Sequence, residues 1–290
     1  MKDTYHNTLG GRNMKNIEFY NGHEMPMLGF GTFELTDYET CKHAVKTAIL
    51  NGYRHIDTAT RYGNEQAVGE GIREALQESD LTREDLFVTS KLWLTDYGRA
   101  NVETAYIASL KKLGLDYLDL YLMHWPGTDE AVMVDTWHGM EDLYKDTNVR
   151  NIGVCNFEPE QLEALLAQVS IKPVINQVEF HPTFQQRKLS LYLNAQHIYL
   201  ESWSSLARGE ALTNDTIGEI SDKLGKTPAQ VILRWVYQRG VVSIPRSSNP
   251  EHIKENIAIF DFELSEEEVE RINQLDTDQR FGPNPMTYEG

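Results

Sequence analysis

The chain has 290 residues, 40% hydrophobic and 24% charged, which excludes a largely disordered polypeptide. Lys and Arg number 27 against 44 Asp and Glu, a formal charge of −17. Such a shell repels phosphate backbones and anionic lipid, so neither nucleic acid nor a membrane surface is expected as a partner, although a small local phosphate site stays open.

The polar start, Met1 to Asn13, lacks the apolar core of a signal peptide. Residues 1–14 read as a disordered leader or tag with Met14 as a natural start, and residues 15–290 as one domain. The length alone would allow two domains, but barrels of alternating strands and helices run to ~250 residues as a single unit. From Ile17 to Leu28, Tyr20-Asn21-Gly22-His23 separates two extended runs, and Asn-Gly is a strong hairpin signal. Leu28 to Thr32 is the first of eight short apolar runs. The others are Tyr53 to Asp57, Leu86 to Lys91, Leu118 to His124, Asn151 to Cys155, Pro173 to Glu179, Ile198 to Ser202 and Val241 to Ile244. Amphipathic helical stretches lie between them. Asp37 to Asn51 places Cys41, Ala44, Val45, Ala48 and Ile49 on one face. Asn64 to Gln77 is another. Asn101 to Leu113 carries Ala105, Leu110 and Leu113 and stops at Gly114; Pro228 to Gln238 opens with proline in its first turn. Near-continuous apolar strands alternating with helices predict a parallel sheet covered by helices. Eight of them predict an α/β (β/α)8 barrel, with the N-terminal β-hairpin capping its bottom. No Gly-x-Gly-x-x-Gly follows a strand, so a dinucleotide site of Rossmann type is not supported.

Two cysteines, Cys41 and Cys155, are too few for a disulfide framework or a cysteine-rich zinc site, and no metal is expected. They fit a reducing compartment. No apolar run is long enough to span a bilayer, so the cytoplasm is the expected location.

In such a barrel, chemistry gathers where the strands end. Here the runs finish with Asp57, Lys91, His124, Asn156, Gln177, Ser204 and Arg246. Each has a bland reading: Asp57 as a helix N-cap, Lys91 reaching to solvent, His124 as a satisfied core histidine. Together, on different strands, they point to one convergent site. Tyr62 follows the second run in a loop. A free tyrosine, with a pKa of ~10, is a sluggish acid at pH 7. A cationic Lys91 beside it favours the phenolate and is expected to lower that value. Asp57 would keep Lys91 charged, and His124 would hold a carbonyl oxygen next to the phenol.

The stretches Gly52-Tyr53-Arg54-His55-Ile56-Asp57-Thr58-Ala59, Tyr62-Gly63-Asn64-Glu65, Thr89-Ser90-Lys91, Tyr121-Leu122-Met123-His124-Trp125-Pro126, Ile152-Gly153-Val154-Cys155-Asn156-Phe157 and Asn176-Gln177-Val178-Glu179-Phe180-His181-Pro182 resemble the aldo-keto reductase superfamily, in its order. The likeness runs from about Ile17 to Tyr288 and is nearest the bacterial-type, 2,5-diketo-gluconate reductase-like group. It implies hydride transfer between a nicotinamide cofactor and an aldehyde or ketone, with the tetrad Asp57, Tyr62, Lys91 and His124 and with Tyr62 as proton donor. It also implies that Gly31 and Thr32 lie by the ribose and that Asn156 and Gln177 hold the carboxamide. Trp203 would stack on the nicotinamide where the family usually has Tyr, and Ser204 and Leu206 would approach the pyrophosphate. Arg246, Ser247 and His252 would take the 2′-phosphate, and Glu255 and Asn256 would face the adenine. Cys155 stands where Ser is usual, and its thiol is a poorer donor than a hydroxyl; a small buried strand residue is the equal alternative.

Arg246 replaces the family's usual Lys and keeps the charge. His252 replaces the usual Arg and, with an unperturbed pKa of ~6.5, is only partly cationic at pH 7. The implied cofactor is therefore NADP(H), with NAD(H) discriminated against less than is usual. Phe33, Trp93 and Trp125 would line the substrate pocket, with Tyr97 and the tail Phe281 to Tyr288 as further candidates. The short loop Gly127 to Glu130 and the short tail predict an open cleft suited to small aldehydes, ketones or dicarbonyls. Monomer is the family default. A non-catalytic nicotinamide-binding relative is one alternative, opposed by the unbroken tetrad. A metal-dependent barrel using Asp57 and His124 is another, opposed by the lack of a His-x-His pair at any strand end.

Overall fold

The computed structural model describes residues 14–146 and 149–290. The expected leader lies outside the described residues, Met14 apart. The first elements are the antiparallel pair β1 (Asn16–Glu18) and β2 (Glu24–Pro26). Asn21-Gly22 lies in a three-residue loop. Phe19 and His23 close it by a backbone bond of 2.8 Å, and Gly22 N–H donates back to Phe19 O at 2.9 Å. Of the two turn residues only Gly22 takes a positive φ, +82°, which is the role of glycine after a type I turn.

The barrel strands follow as β3 (Phe30–Gly31), β4 (His55–Asp57), β5 (Phe87–Leu92), β6 (Leu120–Met123), β7 (Ile152–Cys155), β8 (Ile175–Glu179), β9 (Tyr199–Trp203) and β10 (Val242–Ser243). Each pairs in parallel with the next in chain order. A parallel bridge between Leu28 and Ser243 closes the ring. At this seam Gly29 N–H donates to Ser243 O at 2.8 Å and Gly31 N–H to Pro245 O at 3.2 Å. All eight expected runs are therefore strands of one barrel.

The hairpin sits at the N-terminal ends of the strands. Tyr20 Oη donates to Lys172 O at 2.7 Å, and Asn21 Nδ2 to Asn151 Oδ1 at 2.8 Å. Phe19 packs against Phe87 and Tyr199, with ring centroids 6.4 and 5.9 Å away. This plugs the barrel bottom with aromatic carbon.

Helices cover the outside: α1 (Tyr38–Leu50), α2 (Glu65–Gln77), α3 (Arg99–Leu113), α4 (Glu130–Asp146), α5 (Pro159–Leu166), α6 (Arg187–Gln196), α7 (Asp215–Leu224), α8 (Pro228–Gln238), α9 (Pro250–Ile257) and α10 (Glu266–Asn273). Asp37 caps α1 by accepting from Thr40 N–H, and α1 buries the five expected residues. Thr227 and Gln230 form a capping box on α8 around Pro228. Gly114 ends α3 in the left-handed conformation at φ +66°. The face of α3 differs from expectation. Val102, Tyr106, Ser109 and Leu113 are buried, while Ala105 and Leu110 are only flanking. Tyr106 turns the helix, because its ring packs on Tyr121 at 5.3 Å and its hydroxyl accepts from Leu118 N–H at 3.2 Å.

Side chains alternate across a strand, so His55 and Asp57, Thr89 and Lys91, and Gln177 and its register partner Glu201 share the barrel interior. These polar groups stand above the aromatic plug. A Cβ on Gly31 would lie 2.6 Å from Ile244 O, across the seam. Gly31→Ala should therefore weaken closure by about 1–3 kcal/mol, the cost of overpacking a tight site, read as a lower midpoint in urea unfolding.

Candidate active site

Asp57 ends β4, Lys91 lies near the end of β5, and His124 follows β6 directly. Lys91 Nζ contacts Asp57 Oδ1 at 2.5 Å and donates to Thr58 O at 3.0 Å and to Tyr62 Oη at 3.3 Å. Lys91 is fully buried and Asp57 is 1% exposed, so neither the solvent-reaching lysine nor the N-cap aspartate is realised. Tyr62 closes a short 3-10 turn, Thr60–Tyr62, ahead of Gly63 at φ +68°. Asn64 fixes that loop: its Nδ2 donates to Thr32 O at 2.8 Å and Leu35 O at 3.1 Å, and its Oδ1 accepts from Thr58 Oγ1 at 2.9 Å. His124 stands edge-on to Tyr62, with ring centroids 5.6 Å apart, and its Nδ1 is buried without a partner. The four residues of the expected tetrad thus meet.

Their electrostatics differ from expectation at one point. Burial raises the Tyr62 phenol above its ordinary value and outweighs the opposing pull of Lys91. The lysine acts in the predicted direction, yet the net shift is upward because burial of the phenol outweighs it, although the residue as a whole is only partly buried. Tyr62 is consequently a fully protonated phenol at neutral pH. Burial opposes the charge on Lys91, but Asp57 and Tyr62 together hold its ammonium above the usual lysine range. Burial pushes Asp57 up, while Lys91 and Gln177 pull it back. His124 falls well below the usual histidine range through burial and the nearby Lys91 and Arg61 charges, so it is a neutral imidazole.

Around this core lie Gln177, expected only as a cofactor contact, and two residues to which sequence reasoning gave no role, His55 and Glu201. Gln177 Nε2 donates both to Asp57 Oδ2, at 2.8 Å, and to Glu201 Oε2, at 2.9 Å. Glu201 and His55 are fully buried beside them. The available signal was a glutamate inside the apolar run Ile198 to Ser202. Cys155 Sγ lies 3.6 Å from Gln177 Oε1, and burial raises its thiol, so it is an inert small donor here.

The amides expected to hold a carboxamide are already engaged. Asn156, at φ +64°, donates through Nδ2 to His124 O at 3.0 Å and accepts from Trp203 Nε1 at 2.8 Å. The carboxamide's own N–H groups could still use the remaining acceptor capacity of Asn156 Oδ1 and Gln177 Oε1. Trp203 is half-buried at the end of β9, and the backbone turns left-handed at Ser204, φ +54°; Leu206 lies partly buried against the core. Thr32 Oγ1 donates to Asp57 O at 3.0 Å, which brings it beside Gly31 at the seam. Arg246 and Ser247 follow β10, and Asn249 caps α9, which carries His252, Glu255 and Asn256. Arg246 pairs with Glu34 at 2.9 Å, but the side chains are 42% and 59% exposed. Such a pair contributes only about 0–1 kcal/mol, so the guanidinium is readily released to a phosphate. His252 is exposed, whereas Asn256 is buried. The donors, the exposed cation and the exposed imidazole fit a phosphorylated nicotinamide nucleotide running from Trp203 to α9.

Aromatic rings surround Tyr62 and His124. Phe33 lies 5.1 Å from Tyr62, and Trp93 lies 5.1 Å from His124. Tyr97 braces the wall rather than facing a ligand, because its hydroxyl bonds Trp125 O. The cleft is open on the Phe33 side, where that ring is 51% exposed, but not on the other. There Tyr288 packs on Trp125 at 4.2 Å and on Trp93 at 6.5 Å. Glu179 clips the tail by accepting Phe281 N–H at 2.7 Å and Gly282 N–H at 2.9 Å. A Cβ on Gly282 would meet Trp203 at 2.4 Å, so only glycine lets the tail cross there.

A buried Lys–Asp pair beneath a tyrosine, a neutral histidine beside it and polar groups converging at the strand ends fit a reductase barrel. The Aldo/keto reductase family model matches residues 27–277. The chain belongs to this family, and with it goes reduction of aldehyde and ketone carbonyls to alcohols with NADPH. It is 49% identical over 269 residues to a glyoxal reductase of Bacillus subtilis, covering 93% of this chain and 95% of the relative. It is 45% identical over 276 residues to the methylglyoxal reductase DkgA of Salmonella typhimurium, covering 94% and 98%. Among solved structures, a variant of Gox0644 in complex with NADPH superposes with a TM-score of 0.90 at 38% identity, covering 96% of this chain and 99% of that one.

Proposed function

We propose that this chain is a reductase of small dicarbonyls and aldehydes in which Tyr62 is the proton donor. The observation that carries this reading is the 3.3 Å contact from Lys91 Nζ to Tyr62 Oη, with Lys91 anchored on Asp57. Bound NADPH supplies the hydride to the carbonyl carbon. Negative charge then develops on the substrate oxygen, and Tyr62 is protonated and ready to donate to it. Lys91 stabilises the phenolate that remains. Neutral His124, with Nδ1 buried, orients the oxygen through its other ring nitrogen without adding charge. Asp57 and Gln177 fix the lysine.

With methylglyoxal as substrate, Tyr62→Phe should lower kcat by about 10²–10⁴-fold, the range for loss of a positioned acid, while NADPH still quenches tryptophan fluorescence with an unchanged Kd. Near-wild-type turnover would remove Tyr62 from the role.

The aromatic mouth, narrowed by Tyr288, and the relatives named for glyoxal and methylglyoxal support a small, compact substrate. On a panel, kcat/KM for these dicarbonyls should exceed that for aldoses by at least about tenfold; the reverse order would overturn the assignment.

The cofactor is NADPH rather than NADH, with a narrow margin, because His252 offers an exposed imidazole where an arginine would give a permanent fork. His252→Arg should raise the NADPH/NADH ratio of kcat/KM by about three- to tenfold, the scale of one charge-assisted bond. An unchanged ratio would place the 2′-phosphate elsewhere. The cytoplasm is the matching cellular reading, supported by two buried free cysteines, and a monomer follows only from the family default. Among the described residues no helix is long and apolar enough to cross a membrane.

A further inference from the structure

The barrel interior holds a carboxyl that this mechanism does not use. Glu201 stands on β9 in register with Gln177 on β8. Gln177 Nε2 has two hydrogens, and its contacts place one on Asp57 Oδ2 and the other on Glu201 Oε2. The amide therefore bridges two carboxyls. Glu201 Oε1 is buried with no hydrogen-bond partner, 3.7 Å from His55 Nε2. The groups facing Glu201 are His55 and Asp57 on β4, Lys91 on β5, Cys155 on β7 and Gln177 on β8. Burial and the Lys91 charge push His55 down to about 3, and Cys155 is held as a thiol. Lys91 is thus the cation in this set, set against two carboxyls.

We propose that Glu201 is a positioning residue of carbonyl reduction: through the bridging amide of Gln177 it sets how firmly Asp57 holds Lys91, and so how readily Tyr62 releases its proton. The inference rests on Tyr62 as donor. Burial and the Asp57 charge push Glu201 up to about 8, so at neutral pH its carboxyl is uncharged and the interior is balanced by Lys91 and Asp57 alone. Once Glu201 ionises, it competes with Asp57 for the Gln177 N–H bonds. It also adds a negative potential that holds the Tyr62 proton more tightly. Turnover falls in consequence.

The experiment compares wild type with Glu201→Gln, which mimics the neutral carboxyl, at saturating NADPH and methylglyoxal across pH. Wild-type kcat should fall about three- to tenfold from pH ~7 to ~9, and the variant less than about twofold, with NADPH Kd changed less than about twofold in either. A variant that keeps the wild-type limb, or a wild type without one, overturns the proposal.

Stability supplies a readout independent of turnover. Between the ordinary glutamate value of 4.5 and about 8, the folded chain keeps a proton that the unfolded chain has released. Stability therefore falls as pH rises through that window. The Tm advantage of Glu201→Gln over wild type should grow across the window and level off above it; a constant difference overturns the proposal. Infrared spectra of the wild type test the same point without a variant. A buried protonated-carboxyl band should be present near pH ~7 and lost near pH ~9, and its absence at the lower pH counts against Glu201. Tyr62→Phe separates the two ideas. If it retains turnover, the donor assignment fails, while the stability and infrared results still report on Glu201.

Discussion

The contact between Lys91 and Asp57 organises this molecule's chemistry. Bringing both charges out of water costs several kcal/mol for each ion. Their attraction at 2.5 Å returns about 7 kcal/mol if the effective dielectric constant is ~20. The pair therefore roughly breaks even as a contribution to stability, and its place in the core is explained by what it does to its neighbours. It brings a cation to the phenol of Tyr62, through an ammonium that Asp57 and Thr58 O hold in one orientation. The remaining Asp57 oxygen needs a donor, which is why an amide stands at position 177. The chain of contacts from β5 to β9 follows from neutralising a single lysine.

Burial and charge pull Tyr62 in opposite directions, and burial wins. This suits a proton donor. A phenol whose proton is held firmly in the resting site is never lost to solvent at neutral pH. In the proposed role, the lysine acts on the phenolate left after donation, when the negative charge is present. Neutral His124 fits the same logic, since a second cation would stabilise the phenolate before any substrate arrived.

The barrel was legible in the sequence because strand ends and turn residues repeat eight times, and the tetrad because Asp57, Lys91 and His124 end three separate apolar runs while Tyr62 lies in the loop just after the first of these. Tyr62, Lys91, Asp57 and His124 meet as their order implied. The proposed cofactor rim comes only from family likeness, since no glycine fingerprint marks it. Three features were hidden. The sign of the Tyr62 shift depends on how far the phenol is withdrawn from solvent, and periodicity carries no measure of that. Glu201 looked like one polar residue in a strand, because a run of five residues does not reveal which side chains share the barrel interior with Asp57. The tail's path over Trp203 depends on Gly282 and on two backbone N–H groups meeting Glu179, and backbone donors leave no trace in composition. The face of α3 was misjudged for a related reason: Tyr106 has polar and apolar ends, and only its packing on Tyr121 decides which is buried.

The seam of the barrel joins residues near opposite ends of the sequence, Leu28 to Ser243 and Gly31 to Pro245. The tetrad's own residues come from β4, β5, β6 and the loop after β4, which are neighbours in the chain. On the proposed cofactor path, a nucleotide reaching from Thr32 to Arg246 would lie across the join and act as a clasp. Any free energy gained by gripping it is shared with ring closure, because a ligand that binds only the closed form stabilises that form by mass action. On that path, the abundance of cofactor in the cell would become part of what keeps the circle shut.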